Sequence, residues 1–190
     1  MFFKCLSSGR IFPRVIKFNM PERHQPPLIR NVTHGPIEHV ELNRVYSFNL
    51  EQPSFPGLSS QKVNELYRDG RVSSKPLELM LCSDNFFPSL TYVDAKGFDY
   101  VSTQVGLKSK LDLKSFTSNG AKYMPSCMIG QGRTMEASRF HTHARDMTYI
   151  FCDITEFPEI NVVFKDGEEL IQKYPRGVIT KLDRNSLFSN

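Results

Sequence analysis

Two acidic side chains and a lysine at short spacing are the residues of this chain best arranged to do chemistry. In Leu111-Asp112-Leu113-Lys114 apolar and charged residues alternate with the period of a β-strand. That places Asp112 and Lys114 on one face while Leu111 and Leu113 anchor the other. Asp99, thirteen residues before Asp112 on a separate strand-like run, can bring a second carboxylate to the first. Two carboxylates held close repel each other, and a hard divalent cation such as Mg²⁺ relieves the repulsion with oxygen ligands. Held by Asp99 and Asp112, such an ion can polarise a phosphodiester and lower the pKa of bound water, with Lys114 orienting that water or offsetting charge on the phosphate. A rival triplet, Asp94-Ala95-Lys96 with Asp84 upstream, is disfavoured because Gly97 puts it at a turn, where its side chains would not stay aligned. The plainer reading of Asp112 and Lys114 is a same-face salt bridge on a solvent edge, which contributes little.

A second cluster is His141-Thr142-His143 with Asp146 behind it. On a strand, alternating histidines can face one metal, as in cupin-type metal-binding proteins, but His24, His34 and His39 all precede the pair and none follows. A helix leading into the next strand suits the pair better, with the histidines exposed or touching phosphates beside Arg139 and Arg145. Gly130-Gln131-Gly132-Arg133 lacks the strand-to-helix setting of a nucleotide loop. It reads either as an ordinary turn or as a loop that lets Gln131 and Arg133 reach base edges. Ser115 and Asn119, just beyond the triplet, are placed to touch phosphates.

The charge pattern bears on what these groups would act upon. The chain has 190 residues and a net charge of +4. Residues 96–145 hold eight basic residues against three acids, a balance of +5, so the remainder sums to −1. A basic middle suits a polyanion, since neutralising phosphates releases counterions, and it makes Lys108, Lys110, Lys122 and Arg139 candidate DNA contacts; a solvated basic surface is the alternative. No apolar run reaches the roughly 20 residues that span a bilayer. Cys5, Cys82, Cys127 and Cys152 form no C-x-x-C pair, which argues against a disulfide framework or a cysteine zinc site.

The elements that must position these residues follow from periodicity and caps. Residues 1–20 carry Lys4, Arg10, Arg14 and Lys17 and no acid, and read as a basic arm, an organellar targeting segment, or sequence upstream of a start at Met20. Residues 21–190 read as a single domain, with one strand-like stretch, 40–50, in a proline-rich lead-in. The first helix is expected from Ser59 or Ser60 to Gly70, with Val63, Leu66 and Tyr67 at helical spacing, and a second from Pro76 to Cys82. The runs 90–93 and 98–101 predict a hairpin joined by Asp94-Ala95-Lys96-Gly97, and 107–116 a further strand. A helix near 135–144, a buried central strand over 147–154, a strand over 160–164 and a short helix over 167–174 complete the series. Strands mixed with helices and no strict βαβ alternation predict an α/β or α+β fold around a central mixed β-sheet flanked by helices.

With Asp99, the Asp112-Leu113-Lys114 strand, the hairpin before it, the buried strand after it and an acidic first helix, the chain resembles the PD-(D/E)XK nuclease superfamily, whose fold is restriction-endonuclease-like. The resemblance spans roughly residues 57–165, with Phe98 standing where the family's proline would be and Asp112 where glutamate is commoner. It implies an Mg²⁺-dependent DNA endonuclease in which Asp99 and Asp112 bind the metal, Lys114 assists the attacking water, and Glu65 on the first helix joins them. The most economical version is a site-specific type II restriction endonuclease, a homodimer cutting double-stranded DNA in the cytoplasm of a bacterial or phage-infected cell. The alternative class is a non-catalytic DNA-binding or virion-associated protein.

Overall fold

The computed structural model describes Thr33, residues 35–125, Met128 and residues 136–189. The expected basic arm of residues 1–20 therefore lies outside the described residues, as do Gln131 and Arg133. The elements are β1 (Val45–Asn49), α1 (Ser60–Arg68), α2 (Ser74–Leu81), β2 (Thr91–Ala95), β3 (Phe98–Val101), β4 (Lys110–Phe116), β5 (Ala121–Lys122), α3 (Ala137–Arg145), β6 (Met147–Asp153), β7 (Glu159–Asp166), α4 (Gly167–Lys173), β8 (Val178–Ile179), a 3-10 turn (Lys181–Asp183) and α5 (Arg184–Leu187).

Six strands form one mixed sheet in the order β1-β7-β6-β4-β3-β2, and β5 pairs with β8 in a separate ribbon. Strand β3 runs antiparallel to both β2 and β4; β4 and β6 are parallel, joined through α3, and β7 returns antiparallel to β6. A parallel neighbour requires such a crossover, whereas antiparallel neighbours can be joined by a tight turn.

Alternation along the strands sorts the apolar residues between two cores. Leu111, Leu113, Ile150, Cys152, Val162 and Phe164 face α1 and α2, where Val63, Tyr67, Leu77 and Leu81 close one cluster. Phe116, Tyr149, Phe151 and Val163 face the other way, against Phe140 and Ala144 of α3, Leu170 and Ile171 of α4 and Leu187 of α5. The sheet is thus a middle layer with helices on both faces, and β6 is buried at every position, as its unbroken apolar run requires. Each fully buried aromatic, Phe87, Phe151 and Phe164 among them, contributes about 1.5–3 kcal/mol of transfer free energy.

Local chemistry sets the boundaries. The Ser59 side chain caps α1 by accepting from the Lys62 N–H at 3.2 Å. The second helix begins at Ser74, two residues before the expected Pro76 start, with Pro76 inside the first turn where its missing N–H is not needed. Strand β1 occupies only Val45–Asn49 of the expected 40–50 stretch. In the hairpin, β2 runs through Ala95 with a register irregularity and Ala95 faces Phe98, so the turn is Lys96-Gly97 rather than four residues. Gly97 sits there at φ 95°, a conformation side-chain-bearing residues rarely adopt. Among the described residues no helix is long and apolar enough to cross a membrane.

Candidate active site

The sheet brings Asp99, Asp112 and Lys114 together. Tyr100 pairs with Leu111 and Val101 with Lys110 in the antiparallel β3–β4 ladder, and one further step sets Asp99 opposite Asp112. There the backbone pairing ends, and a side chain continues it: the Leu113 N–H donates to Asp99 Oδ2 at 2.8 Å. On the same β4 strand the Lys114 ammonium lies 2.7 Å from Asp112 Oδ1, and likewise 2.7 Å from Oδ2.

Burial makes this pair unlike a surface salt bridge. The Asp112 side chain is 5% exposed and that of Lys114 25%. The Asp112 carboxyl is pushed up to about 7, first by burial and also by the Asp99 charge beside it, against the pull of Lys114. The same-face salt bridge thus forms, on a central strand and largely buried rather than at a solvent edge, so that the carboxylate carries one ammonium and one like-charged neighbour. Tyr149, the register partner of Asp112 on β6, faces the same side, and its hydroxyl is held above its usual range by burial and then by the Asp112 charge.

Beside Lys114 the sheet and the α1–α2 turn enclose an open cleft of about 380 Å³, lined by Gly70, Arg71, Ser74, Glu78, Ser115 and Thr117 among others. Glu78 of α2 lines this cleft on the face of the sheet away from Asp112; its carboxylate pairs with Lys75 at 3.1 Å, and its backbone carbonyl accepts from the Tyr100 hydroxyl at 2.8 Å. Glu65, expected to join the acids, instead binds Lys62 at 3.0 Å and Gln61 at 3.4 Å on the exposed side of α1. The reason is rotational: Val63 and Tyr67 are buried, and a residue two positions from each lies about 200° around the helix, facing water.

The remaining candidates are scattered. Ser115 lines the cleft. Lys110 is exposed on β4, its ammonium 5.5 Å from the centre of the Phe98 ring. Lys108 lies 3.6 Å from Asp166, and Arg139 is paired with Glu136 at 3.1 Å. Asn119 donates its N–H to Thr117 Oγ1 at 3.2 Å within a tight turn, and Lys122 is exposed on β5. His141 and His143 sit on α3, two residues apart and therefore on different sides of a helix, so the strand-like ligand pair a cupin-type centre needs does not form. His141 contacts the Pro175 carbonyl at 2.9 Å, whereas the His143 ring lies against Gly97 of the hairpin turn.

Asp99 and Asp112 are oxygen donors suited to a hard cation. Among the described residues no three His, Cys, Asp or Glu side chains converge as a metal-holding group. A two-carboxylate set fits Mg²⁺, which keeps several waters and binds through one or two carboxylates plus substrate phosphate. Comparison with protein-family models, with curated proteins and with solved structures finds no match in any of the three, so the functional reading stands on these residues and their geometry.

Proposed function

We propose that the protein is a metal-dependent endodeoxyribonuclease with a restriction-endonuclease-like core, most economically a site-specific type II enzyme acting on double-stranded DNA as a homodimer. The observation that carries this reading is the Asp112 carboxyl, buried on the sheet with Asp99 opposite and Lys114 as its cation. Two acids in that relation are an arrangement a protein rarely keeps for stability alone. The element order supports it too, with a hairpin leading into the triplet strand and a buried strand, parallel to it, after a helix.

Asp99 and Asp112 would hold Mg²⁺. When bound, the ion neutralises the paired carboxylates, polarises the phosphodiester and acidifies water. The chain's own groups do the rest: Leu113 N–H fixes the Asp99 carboxylate through Oδ2, and β4 fixes Asp112. Lys114, its ammonium against Asp112, would place positive charge against the phosphate and orient the attacking water. A single domain of this size has one such site, so two-strand cleavage calls for a second copy, whose twofold axis would match a palindrome.

The test is incubation of the full chain with mixed plasmid and phage DNA, with Mg²⁺ or with EDTA. Discrete Mg²⁺-dependent fragments are expected, and Asp112→Ala should abolish them while keeping, or tightening, metal-free DNA binding because an acid has left a basic region. DNA binding with no cutting in the unmodified protein, across varied substrates and Mn²⁺ as well as Mg²⁺, would instead favour a non-catalytic DNA-binding or virion-associated protein.

A further inference from the structure

Five buried side-chain polar atoms lack a hydrogen-bond partner among the described residues, and two of them belong to neighbours of the Asp112–Lys114 pair. One is the Tyr149 hydroxyl. Tyr149 is 0% exposed, sits beside Asp112 by strand register, and is wedged against the Tyr123 ring at 5.0 Å. The other is Nε2 of His143. Its ring hydrogen-bonds the Gly97 backbone, so the other ring nitrogen carries the proton and Nε2 is left as an acceptor. The charged groups facing this ring are Lys110 and Lys114 of β4 and Asp146 at the end of its own helix. Orphaned buried polar atoms are rare enough in native structures that each calls for a water, an ion or a functional role.

We infer that Tyr149 and His143 are positioning residues for a hydrated divalent cation at Asp99 and Asp112: the Tyr149 hydroxyl and His143 Nε2, both without a partner in the metal-free chain, each bond a water of the cation. This rests on the proposed nuclease reading and extends it to residues that do not themselves ligate. Metal affinity depends on outer partners that hold the inner shell in place, and losing one typically lowers it tenfold to a hundredfold. The ring contacts of Tyr149 would survive loss of the oxygen. His143 is also well placed for a clean substitution, because asparagine keeps a donor near Nδ1 for the Gly97 carbonyl while deleting Nε2.

The experiment titrates Mn²⁺ into the full chain without DNA, following free Mn²⁺ by electron paramagnetic resonance, with thermal melting of the metal-free proteins alongside. Tyr149→Phe and His143→Asn are each expected to weaken Mn²⁺ binding about tenfold or more while leaving the metal-free melting temperature unchanged. Asp112→Ala should remove the site. If the unmodified protein binds Mn²⁺ through Asp112 but both variants bind as tightly, the inference fails and the nuclease reading stands. If the unmodified protein binds no Mn²⁺, or Asp112→Ala binds it equally well, both fail. Lower melting temperatures with unchanged Mn²⁺ affinity would reduce the two residues to a packing role and overturn the inference. Should His143→Asn not fold, the near-isosteric Tyr149→Phe decides alone.

Discussion

Two buried carboxylates on neighbouring strands, each 2.7 Å from a partly exposed cation, are held in opposite ways. Asp153 ends β6 with its side chain 1% exposed and meets Arg184 of α5, whose own side chain is 27% exposed. Its other oxygen accepts from the Thr155 N–H at 3.0 Å and the Thr155 hydroxyl at 2.7 Å. Asp112 on β4 has almost the same burial and a cation of similar exposure, yet both its oxygens share the one lysine and a second carboxylate stands opposite. Both Asp153 oxygens are satisfied, leaving only Arg184 Nη2 without a hydrogen bond, and the pair ties α5 to the sheet. The Asp112 site is short of positive charge, and a divalent cation would fill the deficit.

Substitutions should separate the two sites, and the largest expected effect is on cleavage. Asp112→Asn should lower it by roughly 10³-fold or more, the scale seen when one electrostatic stabiliser is removed; a residual rate near that of the unmodified protein would place the chemistry elsewhere. On stability the order reverses. Asp153→Ala strands Arg184 and should cost about 3–5 kcal/mol in urea denaturation, with Mg²⁺ affinity unchanged.

Next comes the pH dependence of metal-free stability. The Asp112 carboxyl titrates near 7 in the folded chain against an ordinary 3.8, so the folded state holds the proton more tightly. Its stabilising contribution is then full below about pH 4 and is lost as pH rises through about 7, a swing of at most about 4 kcal/mol. Asp112→Asn should flatten that slope and leave the metal-free protein no less stable at pH 8, as measured by melting across the window. The smallest effects are expected at the two helical glutamates. Glu65 and Glu78 each pair with a lysine three residues earlier, away from Asp112, so Glu65→Gln and Glu78→Gln should leave the cleavage rate unchanged; a loss at either would place that acid in the site.

Most of the scaffold was legible because it depends on local pattern. The apolar run 147–154 could only be a buried strand, and Leu111 and Leu113 fix which way Asp112 and Lys114 point. The convergence of Asp99 on that pair was legible as well, since a hairpin carries it to the adjacent strand. What escaped was decided by contacts between distant segments. The β5 and β8 strands have two residues each, too few for any period, and pair only because the chain returns across some fifty-seven positions from Ala121 to Ile179, judged by their numbering. Helix α5 is held by Arg184 reaching Asp153, a partnership that leaves no mark on its own short sequence. Glu65 and Glu78 look equivalent as helical acids until the rotation of each helix on the sheet is known, although the buried Val63 and Tyr67 already implied it for the first.

The bond from the Leu113 amide to Asp99 constrains what the chain can become. A side chain there serves as a rung of the sheet, so its length is set by strand spacing as much as by chemistry. Glutamate, equally acidic and one methylene longer, would reach past the amide and have to fold back or push the strands apart. A shift of the hairpin by one residue would carry Asp99 away from that amide and leave it unpaired at an open strand edge. The acid thus acts as a gauge of its own placement: only the alignment that opposes it to Asp112 also satisfies the backbone. Variation at position 99 is therefore policed by folding itself, before any demand that the proposed chemistry would add.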